Sequence, residues 1–491
     1  MQASDLITVL PELILLVAAC AVVLVEPFLK VDKTAVLAIA LTALVGSGAL
    51  SLGLAGEDRT AFAGMLVLDD WAVFFKVLFA VAAALTILMS SRYLEAHGRH
   101  LGEYYALILF AVIGMDLMAA SRDFIAFYVA LELMAISSYI LAAFFRYRVR
   151  SNESSLKYFL TGSFASAIML YGISLVYGYA GATNFQTVGQ ALAGASGSGG
   201  EGASAGVMLA VLLVAIGLAF KVSAAPFHMW TPDVYQGAPT PVAAFFSVGP
   251  KAAAFSVIIV AFIVAFPAQA REWGVFFIVL SILTMVVGNV FALVQTNVKR
   301  MLAYSSIAHA GYLLAGIGAM GWSGNSYPGQ GVLIYLVAYT FMNLGAFGVL
   351  AYLKTQAPDK FDYSLKSLAG LGRRSPWSAV LLSLFLLSLA GIPGTAGFIG
   401  KFYVFGAIVQ ADLVWLAVIA VLMSAVAVYY YLRVIMYMLF REPEEEFAVK
   451  EPISGGMAAA LALSAIATVV IGVVPSWLWD AVVSAFTTLF N

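Results

Sequence analysis

The chain has 491 residues, of which 63% are hydrophobic and only 10% are charged, and its formal net charge is −1. This composition excludes an ordinary soluble globular protein and is typical of a protein that crosses a membrane many times. The net charge gives no sign of a nucleic-acid partner, and the single cysteine, Cys20, excludes an iron–sulfur site built from four thiolates of this chain.

Apolar windows of about 20 residues, the length that crosses a bilayer, predict an all-α polytopic membrane protein with about fourteen transmembrane helices. In chain order the predicted spans are 4–27, 34–54, 68–91, 103–120, 123–145, 155–180, 206–229, 240–266, 273–296, 301–321, 329–353, 376–410, 412–440 and 455–487. A Gly/Ser/Ala-rich run at 191–206 is predicted to be a flexible linker between spans.

The basic residues predict the orientation of these spans. Most Lys and Arg residues fall in the odd-numbered connections, such as Arg146, Arg148 and Arg150 between helices five and six. Because basic residues are retained on the cytoplasmic side, these connections are predicted to be cytoplasmic. Both termini are then predicted to lie on the opposite side.

Residues 217–251 combine two lysines with two prolines in apolar surroundings. Lys221 is followed by Pro226, and Lys251 comes directly after Pro250. Proline has no N–H to donate within a helix, so the sequence predicts a local helix break beside each lysine. Irregular backbone at membrane depth is tolerated where it lines a wet cavity, and a charge at that depth is a candidate functional group. These lysines are therefore predicted to lie on an ion pathway.

Glu132 lies near the middle of a predicted span that begins after Arg122. A carboxylate at that depth is expected to pair with a cation or to carry a proton. Pairing with Lys221 has two interpretations: a structural ion pair between two helices, or a switch in which the carboxylate tunes the proton affinity of the amine.

Three further residues are candidates for the same pathway. Lys401 follows the helix-breaking run Gly391-Ile-Pro393-Gly394 in the twelfth predicted span. Lys157 opens the sixth span and is either an interfacial anchor or part of the pathway. His309 shares a helical face with Ser305 and Tyr312, which suits either a proton relay or a histidine that is simply satisfied in the core.

Other charged residues in apolar runs carry less signal. Asp116 is predicted to pair locally with Arg122, and Glu12 and Lys76 are two further charged residues of this kind.

Five of the charged residues are predicted to form a chain of titratable groups that moves protons through the apolar layer: Glu132, Lys157, Lys221, Lys251 and Lys401. No catalytic triad, metal-ligand cluster or nucleotide-binding fingerprint accompanies them.

Four segments resemble the antiporter-like membrane subunits of respiratory complex I, and the resemblance extends from about residue 65 to 440. They are FYVALELMAISSYILAAF around Glu132, GLAFKVSAAPFHMWTPDVYQGAPTPVAAF, KRMLAYSSIAHAGYLLAG and LAGIPGTAGFIGKFYVF.

The resemblance implies two inverted five-helix repeats, in which helices 7 and 12 are broken. It divides the chain into three N-terminal helices at 1–102, repeats at 103–266 and 273–440, and a C-terminal transmembrane helix at 441–491. It also implies that Glu132 and Lys221 are the coupled pair of one half-channel, that Lys251 is the connecting lysine, and that Lys401 serves the second half-channel. Lys157 would lie between the pair and a neighbouring subunit.

As an activity, the resemblance implies a proton-translocating subunit of an NADH:quinone oxidoreductase in a bacterial inner membrane. NADH, FMN, iron–sulfur clusters and quinone would be bound by other subunits, with no cofactor or metal in this chain. The expected partners are the other membrane subunits of the complex and membrane lipid. A stand-alone multisubunit Na⁺/H⁺ antiporter is the alternative, and a structural scaffold whose charges only fix helix packing is a third hypothesis.

Overall fold

The computed structural model describes residues 3–29, 33–198, 201–443 and 452–489, and most of these residues are helical. The first helices are α1 (Ala3–Thr8), α2 (Leu10–Leu29), α3 (Lys33–Gly53), α4 (Asp70–Ala96), α5 (Gly102–Ala120), α6 (Phe124–Ala142), α7 (Val149–Ala180), α8 (Phe185–Ser198), α9 (Glu201–Lys221), α10 (Trp230–Gly237) and α11 (Thr240–Val264). The later helices are α12 (Ala270–Leu293), α13 (Val298–Ser323), α14 (Tyr327–Gln356), α15 (Leu365–Leu368), α16 (Leu371–Arg374), α17 (Pro376–Ala390), α18 (Ala396–Gln410), α19 (Val414–Phe440), α20 (Gly455–Val473) and α21 (Ser476–Thr487).

The helices have the length and composition of membrane spans. Within the described ranges, ten are long and apolar enough to cross a membrane, and three shorter apolar helices accompany them. The prediction of a polytopic helical membrane protein is therefore confirmed. One small exception to the all-α prediction is an antiparallel hairpin of β1 (Arg59–Ala61) and β2 (Leu66–Leu68), in which Arg59 lies opposite Leu68.

Two helices are interrupted beside buried lysines. Helix α9 ends at Lys221, and eight residues separate it from α10. In the second half, α17 ends at Ala390 and α18 begins at Ala396. The predicted break at Pro250 is wrong, because α11 continues through that proline. A proline in a helix removes one hydrogen bond, and the tight packing of α11 on all sides keeps the helix continuous.

Two other predictions of chain path need correction. The predicted span 455–487 is two helices, since α20 ends at Val473 and α21 begins after Pro475. The predicted linker at 191–206 is largely helical, because α8 extends to Ser198 and α9 begins at Glu201; residues 199–200 lie outside the described part. Part of the predicted C-terminal segment, residues 444–451, also lies outside it.

Helices α11, α13 and α14 form the centre of the molecule. Nearly every residue of α11 from Thr240 to Phe262 is buried, and the same holds for most of α13 and α14. Burial on all faces places these helices among other helices of the protein and away from lipid and water. Charged and polar side chains on these three helices therefore lie deep inside the protein, where unpaired groups are costly.

Candidate functional site

Lys221 is the last residue of α9 and has a buried amine. The residue is 5% exposed, and Nζ has no hydrogen-bond partner among the described residues. The face of the Tyr139 ring lies 5.7 Å from Nζ, which is within the range of a cation–π contact. An ammonium group has three N–H donors, so this amine has unused capacity for water or for a proton acceptor.

Glu132 does not contact Lys221 directly. The side chain lies half-buried on α6 and accepts a hydrogen bond from the Ser166 hydroxyl of α7. Within the described residues no ion pair joins Glu132 to Lys221, so a direct structural ion pair between them is excluded. The carboxylate still acts electrostatically on Lys221 through the intervening space.

Lys157 differs from the other candidate lysines because it is not buried. Its side chain is 46% exposed and forms ion pairs of 2.7 Å with Glu153 and 2.9 Å with Asp233. Asp233 also binds Arg300 at 2.7 Å, so this carboxylate connects α7, α10 and α13. The prediction that Lys157 belongs to a chain of buried groups is therefore wrong for this chain on its own, since α7 presents the residue at the surface.

Lys251 donates from α11 to α13. Its Nζ lies 3.0 Å from the backbone oxygen of Ser306 and 2.5 Å from the Ser306 hydroxyl. The residue is 4% exposed, and the ring of Tyr235 lies 5.9 Å from the amine.

Aromatic side chains hold the segment after Lys221 against α7. The rings of Trp230 and Tyr158 are stacked, with their centroids 4.4 Å apart.

His309 bridges two buried tyrosines. Nδ1 lies 2.5 Å from the Tyr335 hydroxyl, and Nε2 lies 3.1 Å from the Tyr431 hydroxyl. Tyr431 in turn lies 2.5 Å from the Ser305 hydroxyl. A neutral imidazole donates from one nitrogen and accepts at the other, so a histidine with a hydroxyl at each nitrogen can receive a proton on one side and release one on the other.

The Lys401 amine binds the last carbonyl groups of α17, at the break between α17 and α18. From α18 the amine donates to the backbone oxygens of Leu389 at 3.0 Å and Ala390 at 2.8 Å, and to the Ser424 hydroxyl at 2.8 Å. The last carbonyls of a helix lack partners within the helix and carry partial negative charge, which favours a cation there. The break thus supplies the acceptors for a buried lysine.

One face of α13 joins the two halves of the site. Ser306, His309 and Tyr312 follow each other at intervals of three residues, a spacing that places side chains on one face of a helix. Ser306 binds Lys251, and the Tyr312 ring lies 5.5 Å from the Lys401 amine. The His309 and Tyr312 rings meet edge to face at 5.7 Å.

Between Lys251 and Lys401, the face of α13 with Ser306, His309 and Tyr312 contains hydrogen-bonded sections separated by gaps. No hydrogen bond joins Ser306 to His309, or Tyr312 to Lys401, among the described residues. The Tyr339 hydroxyl is buried with no hydrogen-bond partner in the part of the chain that the structure describes, and its ring lies 5.0 Å from that of His309. A bridging water or a change of side-chain rotamer is needed to connect these sections, so the arrangement is suited to gated movement of protons.

The sequence analysis missed the neutral partners of the charged groups. Ser166, Ser306 and Ser424 each bind a predicted site residue, and Tyr335 and Tyr431 bind His309. Single Ser and Tyr residues are common in apolar helices, so they carry no individual signal. Ser306 is the exception, because it lies three residues before His309 on α13.

Comparison with known proteins decides the family. The sequence model of the NADH:quinone oxidoreductase/Mrp antiporter transmembrane family matches residues 121–427. NADH-quinone oxidoreductase subunit N of Trichlorobacter lovleyi is 44% identical over 476 residues, which cover 97% of this chain and 96% of that protein. The chain belongs to the NADH-quinone oxidoreductase subunit N family. The predicted resemblance to the antiporter-like subunits is thereby confirmed.

Solved structures agree with membership of the subunit N family. A chain of respiratory complex I from Thermus thermophilus with bound aureothin is 33% identical and superimposes with a TM-score of 0.79. The superposition covers 96% of this chain and 99% of that one. A chain of the Mrp complex from Dietzia is 21% identical, with a TM-score of 0.83 over 100% of this chain and 98% of that one. At that identity the second comparison shows a shared fold alone.

Proposed function

We propose that this chain is a proton-translocating membrane subunit of respiratory complex I. In this function, electron transfer from NADH to quinone in other subunits drives proton movement through the buried groups described above. The observation that carries the proposal is the link between two deeply buried amines, Lys251 and Lys401, by the polar face of α13. Buried amines joined by titratable relays have the chemistry of a proton path.

The proposed mechanism is electrostatic and begins at Glu132. A change of charge near this carboxylate alters how strongly Lys221 holds its proton, because the amine is desolvated and has no hydrogen-bond partner. Protons then pass by Lys251 and His309 towards Lys401. Lys157, held at the surface by Asp233, faces outward and is suited to carry the influence of a neighbouring subunit to this pair.

We assign the redox groups of the complex to other subunits. The described residues contain no group of three His, Cys, Asp or Glu side chains that could hold a metal ion. In the proposed assembly the partners of this chain bind NADH, FMN, iron–sulfur clusters and quinone, and the names of its relatives as one subunit of an NADH-quinone oxidoreductase support this assignment. The chain is a subunit of an enzyme in the bacterial inner membrane, and the redox reaction takes place elsewhere in that enzyme.

The proposed architecture has fourteen spans and two inverted repeats. Counting α9 with α10 and α17 with α18 as one interrupted span each, α2 to α7, α11 to α14, α19 and α20 complete the fourteen. The repeats are 103–266 and 273–440, between three N-terminal helices at 1–102 and the segment 441–491. The interrupted span is the fourth of five in each repeat, and an odd number of spans gives the two repeats opposite orientations.

The orientation follows from where the basic connections meet. At one end of the molecule Arg99 lies over the Tyr147 ring, and Asn297 forms a backbone bridge with Ser364, so several Lys- and Arg-rich connections come together. At the other end Leu66 bridges to Ser121, between connections with few basic residues. We propose that the first end is cytoplasmic and that both termini are periplasmic.

Purification of the tagged chain from native membranes tests the function. We expect it to copurify with FMN and iron–sulfur proteins, and we expect NADH to drive proton uptake in vesicles that contain this assembly. Recovery of the chain with other membrane subunits alone, together with Na⁺/H⁺ exchange that NADH does not affect, would instead assign it to a stand-alone antiporter. The shared fold with the Mrp complex makes this the appropriate alternative.

A further inference from the structure

Three charged side chains from the N-terminal part of the chain lie together in the interior. Lys76 of α4 places its Nζ 2.7 Å from Oε1 of Glu12 on α2, and the two side chains are 1% and 5% exposed. Asp116 is 1% exposed and lies on α5, which packs against both α2 and α4. All three residues precede the matched segment 121–427, and the proton path described above does not use them.

The charges of this triad do not balance. There are two carboxyl groups and one amine, the ion pair of that amine is with Glu12, and Oδ1 of Asp116 has no hydrogen-bond partner among the described residues. The predicted pairing of Asp116 with Arg122 is wrong, because Arg122 binds Asp69 at 2.5 Å near the ends of α4 and α5. A buried charge without a counterion is strongly unfavourable, so a fully ionised triad would carry an uncompensated negative charge.

Nearby charged groups do not supply the missing cation. Asp70 accepts from the Gly56 amide at 2.8 Å and from the Ser484 hydroxyl at 2.7 Å. Asp123 accepts from the Ile125 amide at 2.8 Å and from the Thr183 hydroxyl at 2.5 Å. These groups are acids with partners of their own, and the arginines of the hairpin end are paired as well, Arg122 with Asp69 at 2.5 Å and Arg59 with Glu57 at 2.6 Å. Electrical neutrality therefore requires a proton within the triad.

The triad lies close to one end of the helical bundle. Lys76 is seven residues beyond the N-cap Asp69, which at 1.5 Å per residue is about 10 Å along the helix. Asp116 is four residues before the end of α5, or about 6 Å from it. Both helix ends adjoin the β1–β2 hairpin, whose Leu66 bridges to Ser121. This distance is short enough for exchange with water at that end.

We propose that Glu12, Lys76 and Asp116 form a buried site that binds one proton and exchanges it with the aqueous phase at the hairpin end. The bound state is Glu12 carboxylate, Lys76 ammonium and Asp116 carboxylic acid. Release transfers the Asp116 proton to water, and uptake reverses that step. This inference does not depend on the identity of the surrounding complex.

Infrared difference spectroscopy of the full chain in a detergent without ester groups tests the site. The C=O band of a protonated carboxyl lies apart from the bands of ionised carboxylates and backbone amides, so the difference between the protein and each variant at neutral pH detects a single buried carboxylic acid. We expect Asp116→Asn to remove this band and Glu12→Gln to remove it too, since Asp116 can then ionise against Lys76. We expect Lys76→Met to double it, because both acids become neutral without the amine.

A control variant and a solvent exchange complete the experiment. Glu103→Gln changes an exposed carboxylate on the same helix and should leave the band intact. In D₂O the band should shift, which reports exchange with the aqueous phase. A spectrum that Asp116→Asn and Glu12→Gln both leave unchanged would overturn the proton site. A band that does not shift in D₂O would show a trapped proton and would overturn the exchange.

Discussion

At the scale of single residues, the buried lysines Lys221, Lys251 and Lys401 differ in what their amines contact. Lys401 donates three hydrogen bonds, Lys251 donates to the backbone oxygen and hydroxyl of one serine, and Lys221 has no hydrogen-bond partner. Hydrogen bonds to a charged form stabilise it, so of these three amines the charge of Lys221 relies most on its electrostatic surroundings, which include Glu132. Lys221 is therefore the lysine whose proton a nearby change of charge moves most easily.

His309→Phe tests the relay on α13. The substitution retains an aromatic ring but removes the His309 partner of the Tyr335 hydroxyl, which costs about 1–3 kcal/mol for a buried group left unpaired. The Tyr431 hydroxyl keeps its contact with Ser305. We expect NADH-driven proton uptake to fall about tenfold, a change that corresponds to about 1.4 kcal/mol in the barrier. The measurement is proton uptake by vesicles with assembled complex.

Tyr430→Phe is the matched control for this variant. Tyr430 is a buried neighbour of Tyr431, but its hydroxyl donates to Asn289 at 3.1 Å and does not contact His309. Its loss should lower stability while proton uptake per assembled complex remains unchanged. Equal uptake in the His309→Phe and Tyr430→Phe variants would show that His309 is a satisfied core residue.

At the scale of elements, the break between α17 and α18 depends on Gly391. Its φ is +90°, in the left-handed region that favours glycine, and an added Cβ would lie 2.9 Å from Lys401 Cδ and 3.1 Å from Nζ. We expect Gly391→Ala to cost about 1–2 kcal/mol of stability through its backbone strain and to displace the Lys401 amine. Proton uptake per assembled complex should fall.

Gly394 offers a control for this prediction in the same break. Its φ is +84°, so alanine there meets the same backbone strain, but a Cβ would have no neighbour within 4 Å. Thermal unfolding should show similar destabilisation in both variants, whereas proton uptake should fall only for Gly391→Ala. Equal uptake in the two variants would contradict the prediction, because it would show that the position of the Lys401 amine does not affect proton uptake.

The sequence predicted those elements whose ends coincide with a change in composition. The start of α11 at Thr240 was predicted because a polar turn with two prolines precedes an apolar run. Hydropathy windows do not detect a break inside an apolar stretch, so the division between α20 and α21 was missed. The hairpin was missed because strands of three residues are too short to show alternation.

The same reasoning explains which parts of the site were predicted. Lys221, Lys251 and Lys401 are visible in the sequence because a charge in an apolar run is rare. Lys251 and Ser306 are 55 residues apart in sequence and lie on different helices, so no local pattern predicts their contact. The surface position of Lys157 depends on which face of α7 packs inward, and the sequence predicted it only as one of two alternatives.

At the scale of the whole molecule, the proposed orientation can be tested by cysteine labelling. With Cys20→Ser as background, Glu57→Cys beside the hairpin and Asp359→Cys after α14 place one exposed thiol at each end. We expect an impermeant maleimide to label residue 57 from the periplasmic side and residue 359 from the cytoplasmic side. The reverse pattern would contradict the orientation.

The central claim is that the buried amine of Lys221 lies in the path that couples electron transfer to proton movement. The most direct test is Lys221→Ala in native membranes with assembly verified, in which NADH-driven proton uptake and NADH:quinone turnover are measured side by side. Lys360→Ala, which removes an exposed lysine, is the control. We predict that both rates fall together in Lys221→Ala while the complex remains assembled. Rates equal to those of the control would contradict the claim and make the buried lysine a structural residue.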